Sequence, residues 1–133
     1  MSAERDEFRV YVGIDWGSEA HQVCVLDVRG TVRSERHVPH EAQALEALAT
    51  ALIAAADSEA AAVAVAIEVP HGAVVETLLE RGLAVFALNP KQLDRFRDRF
   101  TVAGAKDDRR DARVLADAVR TDRRAFTRVR LPA

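Results

Sequence analysis

Apolar residues in the first third of the chain recur at strand spacing. Residues 9–15 alternate, with valine or isoleucine at every second position, which predicts a strand that ends on Asp15. Residues 22–27 form an apolar run, and residues 31–38 place valines among charged side chains, as is typical of an edge strand. A turn at residues 28–30 joins these two strands as a hairpin. The pattern therefore predicts an antiparallel meander of three strands.

Helical spacing follows Pro39. It predicts three helices, over residues 41–56, 73–81 and 90–99. A fourth helix follows a loop at residues 101–106 and continues to Arg120. Two buried strands, at residues 62–67 and 83–88, lie between the first three helices. Gly82 stands where a helix would end, and Asn89-Pro90 supplies an N-cap and a first-turn proline. The order βββ-α-β-α-β-α-α is that of an α/β protein with a mixed five-stranded sheet and helices on its faces.

The same pattern sets the expected domain boundaries. Residues 1–8 are polar and expected to be disordered, residues 9–120 form one folded domain, and the basic residues 121–133 lack periodicity. This last segment is expected to be a tail or a linker to a missing C-terminal domain. No apolar run could cross a bilayer, there is no signal segment, and the single cysteine, Cys24, excludes an intrachain disulfide. We expect a cytoplasmic protein without a membrane partner.

The net charge of −2 conceals an uneven distribution along the chain. Residues 1–90 hold 14 acidic and 6 basic residues, whereas residues 91–133 hold 7 acidic and 13 basic ones. A basic end on an acidic domain indicates an anionic partner, of which nucleic acid is the commonest. The alternative is a set of solvated helix faces with no ligand.

The last predicted helix carries acids on its apolar side. Apolar positions over residues 112–119 define a buried stripe, and at about 100° per residue Asp108 lies over its middle, with Asp111 about 60° to one side. Burying carboxylates is costly unless something compensates, and a metal ion is one such partner. Asp107 lies off the stripe and is assigned to capping, although it could replace Asp108 if the helix begins late.

Two further acids occupy equivalent places, since Asp15 ends the first strand and Glu68 ends the fourth. If these strands are parallel neighbours, their acids stand side by side, and the helix can bring Asp108 and Asp111 over them. Four converging carboxylates require divalent cations, and oxygen ligands favour Mg²⁺ or Mn²⁺. Two such ions suit phosphodiester chemistry, one activating the attacking oxygen and the other stabilising the leaving oxygen.

Each of these acids also has a simpler interpretation. Asp15 and Glu68 could be ordinary acids in the turns that follow strands, and the two helix acids could form a cap favoured by the helix dipole. His71, His21 and Cys24 are weaker candidates for chemistry. Turn histidines are commonly surface residues, and a cysteine in mid-strand is typical of a core.

Four segments together resemble a known family. They are Val12-Gly13-Ile14-Asp15, Ile67-Glu68, Asn89-Pro90-Lys91-Gln92 and Lys106-Asp107-Asp108-Arg109-Arg110-Asp111-Ala112-Arg113-Val114-Leu115-Ala116. This set is similar to the N-terminal DEDD domain of insertion-sequence transposases of the one-ten family, which also includes Piv-type DNA invertases. The resemblance spans about residues 9–120. It implies a RuvC-like fold of the RNase H superfamily, in agreement with the predicted order of elements.

The resemblance also implies a function and its residues. The acidic tetrad of the family corresponds to Asp15, Glu68, Asp108 and Asp111, which would be both catalytic and metal-binding. The implied activity is Mg²⁺-dependent (or Mn²⁺-dependent) DNA cleavage and strand transfer of a mobile element by a homo-oligomer, a dimer or tetramer, working with an element-encoded guide RNA. Basic residues expected to contact DNA or guide RNA are Lys106, Arg109, Arg110, Arg113, Arg120, Arg123 and Arg124.

The chain departs from the family pattern in two loops and in length. Residues 69–72 read Val-Pro-His-Gly where a small hydroxyl residue and glycine are usual, and residues 16–19 read Trp-Gly-Ser-Glu in place of a Ser-Lys turn. Full members also carry a second domain with a serine nucleophile, and no residue here corresponds to that serine. We therefore expect that the chain cannot complete recombination alone.

Two other classes of function stay open at this stage. Residues 13–18 resemble a phosphate-binding β-turn of actin-like and sugar-kinase-like ATPases. That function would also require a second phosphate loop and an adenosine site, which 133 residues hardly accommodate, and it would leave Asp108 and Asp111 unexplained. A non-catalytic nucleic-acid-binding module would use the basic residues alone and would not depend on Asp15. A Holliday-junction resolvase would share the fold and the chemistry and differ in its substrate.

Overall fold

We describe residues 8–100 and 108–131 of a computed structural model, without the side chains of residues 90, 97–100 and 108–109. The strands are β1 (Val10–Asp15), β2 (Ala20–Leu26), β3 (Val32–Pro39), β4 (Val63–Ile67), β5 (Ala84–Ala87) and β6 (Thr127–Val129). The helices are α1 (Ala42–Ala55), α2 (Ala73–Glu80), α3 (Pro90–Phe100) and α4 (Asp108–Thr121), with short 3₁₀ turns at Ala60–Ala62 and Arg123–Ala125. Every predicted helix and strand is present, with ends within a few residues of the prediction.

All strands belong to one mixed sheet in the order β3-β2-β1-β4-β5-β6. Strands β1, β2 and β3 form the predicted antiparallel meander, with β3 at an edge. Strand β1 runs parallel to β4, and β4 runs parallel to β5. The α/β class is therefore confirmed, and the first and fourth strands are the parallel neighbours that placing Asp15 beside Glu68 requires.

The prediction of five strands was wrong by one. Residues 127–129 lie in the segment expected to be a tail or linker, and they form β6, antiparallel to β5. Phe126, just before this strand, is buried, and its ring meets Phe86 edge-on with centroids 6.5 Å apart. Sequence periodicity missed the strand because three residues are too few to show alternation.

The N-terminal boundary also differs from the expectation. Phe8, placed in the predicted disordered segment 1–8, is buried and packs edge-on against Tyr11 and Phe86. Residues 1–7 lie outside the described part of the chain. The folded domain therefore begins at least one residue earlier than predicted, because an aromatic ring before β1 fills one end of the core.

The two faces of the sheet differ in side-chain size. In β4, Val63, Val65 and Ile67 point to the core shared with α1 and α2, while Ala64 and Ala66 point to the core shared with α3 and α4. The alternation of large and small residues lets the helices on the second face come closer to the strands. Both faces are covered, which accounts for the uninterrupted burial of β4.

Helix α4 touches β1 directly at Gly13. A methyl group added there would lie 2.5 Å from the Ala116 backbone nitrogen and closer still to the Ala112 carbonyl oxygen. Only a residue without a side chain can occupy this position while α4 keeps its place. Gly13 therefore fixes the height of α4 above the centre of the sheet.

The Asn89-Pro90-Lys91-Gln92 segment caps α3 and ties it to the C-terminal turn. The Asn89 side-chain oxygen accepts the Gln92 backbone N–H at 2.9 Å, which confirms the predicted N-cap. The Gln92 side-chain oxygen accepts the Asn89 backbone N–H at 3.4 Å, and its amide nitrogen donates to the Ala125 carbonyl at 3.1 Å. One side chain thus completes a capping box and holds the turn that leads into β6.

In the part of the chain that the structure describes, no helix is both long and apolar enough to cross a membrane.

Candidate active site

Asp15 and Glu68 lie at the same edge of the sheet, at the ends of two neighbouring strands. The parallel register of β1 and β4 pairs Ile14 with Ile67, and the two acids are the next residues of their chains. Both are half-buried, and Asp15 lies opposite Gln22 of β2. The carboxyl ends of parallel strands are the usual place for sites in open α/β sheets.

Helix α4 brings its acid-bearing end to this edge. Its C-terminal end lies at the start of β1, since the Arg123 guanidinium, just beyond the helix, stacks over the rings of Phe8 and Tyr11 at 5.1 and 5.8 Å. Further along the strand, Gly13 meets Ala112 and Ala116. The helix therefore runs opposite to β1, and its first turns, with Asp108 and Asp111, lie towards the end of the strand that carries Asp15.

Asp111 is one of two buried polar side chains in the described part of the chain, with 6% of its surface exposed. This placement agrees with the prediction that it faces the apolar side of the helix. Asp108 is the first residue of α4, as predicted, but its side chain is outside the description. Asp107 and Lys106 lie outside the described residues altogether, so the choice between Asp107 and Asp108 as ligand stays a prediction.

The donor chemistry of these residues fits a hard divalent cation. Asp15, Glu68 and Asp111 offer only carboxylate oxygens, and all three are buried or half-buried. Among the described side chains, however, no three histidine, cysteine, aspartate or glutamate residues approach one another closely enough to hold a metal ion. The backbone brings the acids towards one edge, but the described side chains, those of Asp15, Glu68 and Asp111, do not form a ligand cluster.

Behind Asp15, the turn from β1 to β2 is built around a buried histidine. His21 is 1% exposed, its Nδ1 accepts the Gly17 backbone N–H at 3.2 Å, and its Nε2 lies 2.9 Å from His40 Nδ1. Burial, and secondarily the neighbouring His40, lower the pKa of His21 from its usual value of 6.5. In the neutral ring, Nδ1 is the acceptor and the proton is on Nε2. The Nε2–H group therefore donates a hydrogen bond to His40 Nδ1.

His21 and Cys24 were weaker candidates for chemistry. The contacts of both residues indicate a structural role instead. His21 holds the turn after Asp15, as its contacts with Gly17 and His40 show. Cys24 is buried in the core under α4, and burial first, then the charge of Glu35, raises its pKa to about 11. A thiol with so high a pKa is protonated at neutral pH and is a poor nucleophile. His71 is exposed in the loop after β4.

The basic residues expected to contact nucleic acid differ in their surroundings. Arg113 and Arg124 are exposed, and Arg110 is half-buried. Arg120 is held by Asp117, with nitrogen–oxygen distances of 3.1 and 2.9 Å, and its guanidinium lies against Gly30 of the hairpin. The side chain of Arg109 is not described.

Arg123 contacts both aromatic rings and backbone carbonyls. Besides stacking over two rings, its Nη1 donates to the carbonyl oxygens of Val119 and Arg120 at 3.3 and 3.4 Å. It thereby caps the C-terminal end of α4. Sequence reasoning missed this role because the aromatic partners, Phe8 and Tyr11, lie more than a hundred residues away along the chain.

Sequence reasoning also missed the part played by Trp16, whose half-buried ring lies against both His21 and Gly72. The available signal was the pair of departures from the family pattern, at residues 16–19 and 69–72, which the structure places in contact.

Comparison with known proteins shows the family to which the chain belongs. Residues 12–133 match the family model for DEDD transposases of the IS110 kind, whose description is "Transposase". The chain is 54% identical over 122 residues to "Putative transposase y4uE" of Sinorhizobium fredii (strain NBRC 101917 / NGR234). It is 38% identical over 120 residues to "Mini-circle putative transposase for IS117" of Streptomyces coelicolor (strain ATCC BAA-471 / A3(2) / M145). These alignments cover 91% and 90% of this chain but 34% and 29% of the relatives, so the chain spans about a third of their length.

Among solved structures, T. thermophilus RuvC in complex with a Holliday junction substrate shares the fold. The TM-score is 0.63 at 16% sequence identity, and the match covers 91% of this chain and 99% of that one. The predicted RuvC-like fold is thereby confirmed. The family match favours a transposase over the ATPase alternative, because it includes both the β1 turn and the acids of α4. The chain belongs to the DEDD transposases of the IS110 family, and it corresponds to their N-terminal DEDD domain.

Proposed function

We propose that this chain is the metal-dependent catalytic domain of a DNA transposase, which cleaves DNA and transfers its strands during movement of a mobile element. One observation carries the proposal: the acid-bearing end of α4 lies over the edge at which Asp15 and Glu68 end two adjacent parallel strands. Three elements that are distant in sequence thus carry acids towards the same edge of the sheet. Family membership supports the same reaction class.

The proposed ligands are Asp15, Glu68, Asp108 and Asp111, with Mg²⁺ or Mn²⁺ as the cation. When bound, two such ions would supply activation of the attacking oxygen and stabilisation of the leaving oxygen. The protein's own contribution is placement. The sheet holds Asp15 and Glu68 in register, and the contact at Gly13 fixes α4, whose buried Asp111 lies towards the same edge of the sheet.

DNA is the proposed substrate, and a guide RNA and further copies of the protein are proposed partners. T. thermophilus RuvC, which shares the fold of this chain, binds a Holliday junction, and this supports a branched or paired DNA substrate. Among the described side chains of the proposed set, those of Arg113 and Arg124 are exposed and available for phosphate contacts. The other proposed contacts are Lys106, Arg109, Arg110, Arg120 and Arg123.

A direct test of the proposed metal site is calorimetric titration with Mg²⁺ and Mn²⁺. We expect the wild-type chain to bind either ion and an Asp108→Ala/Asp111→Ala double variant to lose that binding. Asp117→Ala is the matched control, since it removes an acid from the C-terminal half of the same helix, where it pairs with Arg120. Equal binding by the wild type and the double variant would contradict the metal site.

A second test separates a nuclease from a non-catalytic DNA-binding module. Placed in a full-length relative, Asp15→Ala should abolish metal-dependent strand cleavage while leaving DNA affinity in a gel-shift assay within about twofold, because this acid binds metal rather than phosphate. Retained cleavage would exclude the proposed role of Asp15. We further propose that the chain alone lacks the serine needed for recombination, and strand cleavage by the purified 133-residue chain with Mg²⁺ would contradict this.

A further inference from the structure

The ring of Trp16 bridges the two loops that follow the proposed metal ligands. Trp16 is the residue after Asp15, and the outer edge of its ring lies against Gly72, four residues after Glu68. A methyl group at Gly72 would lie 2.7 Å from the ring carbon Cη2 and 3.5 to 3.6 Å from its neighbours Cζ3 and Cζ2. The β1–β2 turn and the β4–α2 loop are therefore in direct contact through one aromatic side chain.

Two histidine rings also contact the Trp16 ring. The His21 ring is tilted against Trp16 with centroids 5.0 Å apart, and the His40 ring lies at 5.9 Å. His21 accepts the Gly17 backbone N–H, and the His40 backbone N–H donates to the Glu19 carbonyl at 2.8 Å. These bonds fix the turn that Trp16 begins, so the indole is held by the turn, by the histidine pair and by Gly72.

Gly72 is suited to this contact in two ways. Its φ of +107° lies in the region that residues with side chains avoid, and it has no Cβ to displace the indole. The two segments that depart from the usual family pattern, 16–19 and 69–72, are thus matched to each other: a large ring in one fits against a glycine in the other.

We propose that Trp16 is a positioning residue that sets the placement of Asp15 relative to Glu68 by tying together the turn and the loop that follow them. The inference rests on the proposed metal site and goes beyond it, because it assigns a role to a residue that offers no ligand. Mutation of residues that orient metal ligands without contacting the metal themselves commonly lowers metal affinity by one to two orders of magnitude.

The test uses Mn²⁺ affinity of the 133-residue chain, measured by calorimetry. We expect Trp16→Ala to weaken Mn²⁺ binding about tenfold, and Trp16→Phe, which keeps a ring, to stay within about threefold of the wild type. Ile53→Ala is the matched control, because Ile53 is a half-buried side chain in α1 that packs against the same core as Trp16. It should lower the melting temperature without changing Mn²⁺ affinity.

A spectroscopic readout is independent of any activity. Trp16 is the single tryptophan of the chain, so indole fluorescence reports on this residue alone. Bound Mn²⁺, which is paramagnetic, should quench this fluorescence in the wild type. In Gly72→Ala the added methyl group displaces the ring, and we expect a shifted emission maximum together with weaker Mn²⁺ binding. If Trp16→Ala does not fold, Gly72→Ala decides the question.

The outcomes distinguish this inference from the proposed function. Mn²⁺ binding by the wild type together with unchanged affinity in Trp16→Ala, or in Gly72→Ala where Trp16→Ala does not fold, would overturn the role of Trp16 and leave the metal site intact. An equal loss of affinity in Ile53→Ala would also overturn it, since general loosening of the core would then explain the effect. No Mn²⁺ binding by the wild type would overturn both.

Discussion

At the residue scale, Gly13 and His21 show how local identity is dictated by what packs around a position. Gly13 has no requirement for a positive φ, and its constraint is the α4 backbone above it. His21 sits in an apolar layer with both ring nitrogens engaged. Each residue leads to a measurable expectation.

Replacing Gly13 with alanine should lower the free energy of unfolding by about 3 kcal/mol, because the new methyl group overlaps backbone atoms of α4 that cannot move independently. Denaturant unfolding measures the loss. Gly82→Ala is the matched control: its φ is +92°, but the nearest atom to an added methyl group is the Ala60 Cβ at 3.4 Å. We expect it to cost about 1 kcal/mol. A larger loss at Gly82 than at Gly13 would contradict the packing argument.

His21 should make folding stability depend on pH. Its pKa is lowered in the folded state, so the unfolded chain binds the proton more readily. Above pH 6.5, the usual pKa, His21 is neutral in both states and costs no stability. As the pH falls below this value, the free energy of unfolding decreases, by at most about 1.4 kcal/mol per pH unit. Denaturant unfolding across this range measures the slope.

In His21→Gln this pH dependence should flatten. In the control His71→Gln, which removes an exposed histidine, the dependence should persist because His21 is still buried. An unchanged slope in His21→Gln would show that another group is responsible.

At the element scale, α4 extends from one end of the sheet to the other. Its first turns stand at the proposed metal site, its middle rests on Gly13, and its end is capped by Arg123 over Phe8 and Tyr11. A helix of 14 residues spans about 20 Å, so Arg110 in its first turn and Arg120 in its last turn lie near opposite ends of it.

Arg123→Ala should therefore act on stability. We expect a loss of about 1 to 2 kcal/mol in the free energy of unfolding, since the stacking over two rings and the bonds to two carbonyls disappear together. Arg124→Ala, which removes an exposed neighbour, should change stability by less than about 0.5 kcal/mol. Thermal and denaturant unfolding of both variants provide the comparison. Equal stability of the two would argue against the structural role of Arg123.

At the scale of the whole molecule, the proposed site draws its ligands from three elements that only the folded state brings to one edge. A cation that binds the folded chain and not the unfolded one must stabilise it by mass action. Metal binding and global stability are therefore coupled through the topology of the sheet.

Saturating Mn²⁺ should raise the free energy of unfolding by about 2.7 kcal/mol at a free concentration near 100 times the dissociation constant. A chelator should reverse the increase, and Asp15→Asn should abolish it. Asp57→Asn is the matched control, since this exposed acid lies beyond the C-terminal end of α1, where it contacts Arg9. A similar Mn²⁺ effect in Asp15→Asn and in the wild type would place the ion elsewhere.

Much of the fold follows from the sequence because its signals are local. The strand alternation in residues 10–15, the helix of residues 108–121 and the cap at Asn89 are each set by neighbours within a few positions. The sequence places an acid at the end of both β1 and β4, whereas their parallel pairing is seen only in the structure. The sequence by itself thus determined the fold class, the order of the elements and the candidate acids.

Other features were decided by the tertiary structure because they depend on contacts between distant segments. Strand β6 exists because it can pair with β5, and Arg123 is a cap because Phe8 and Tyr11 lie under it. The same reason hid the contact between Trp16 and Gly72, which are 56 positions apart. Periodicity and spacing register neighbours along the chain, whereas only folding determines which surfaces meet.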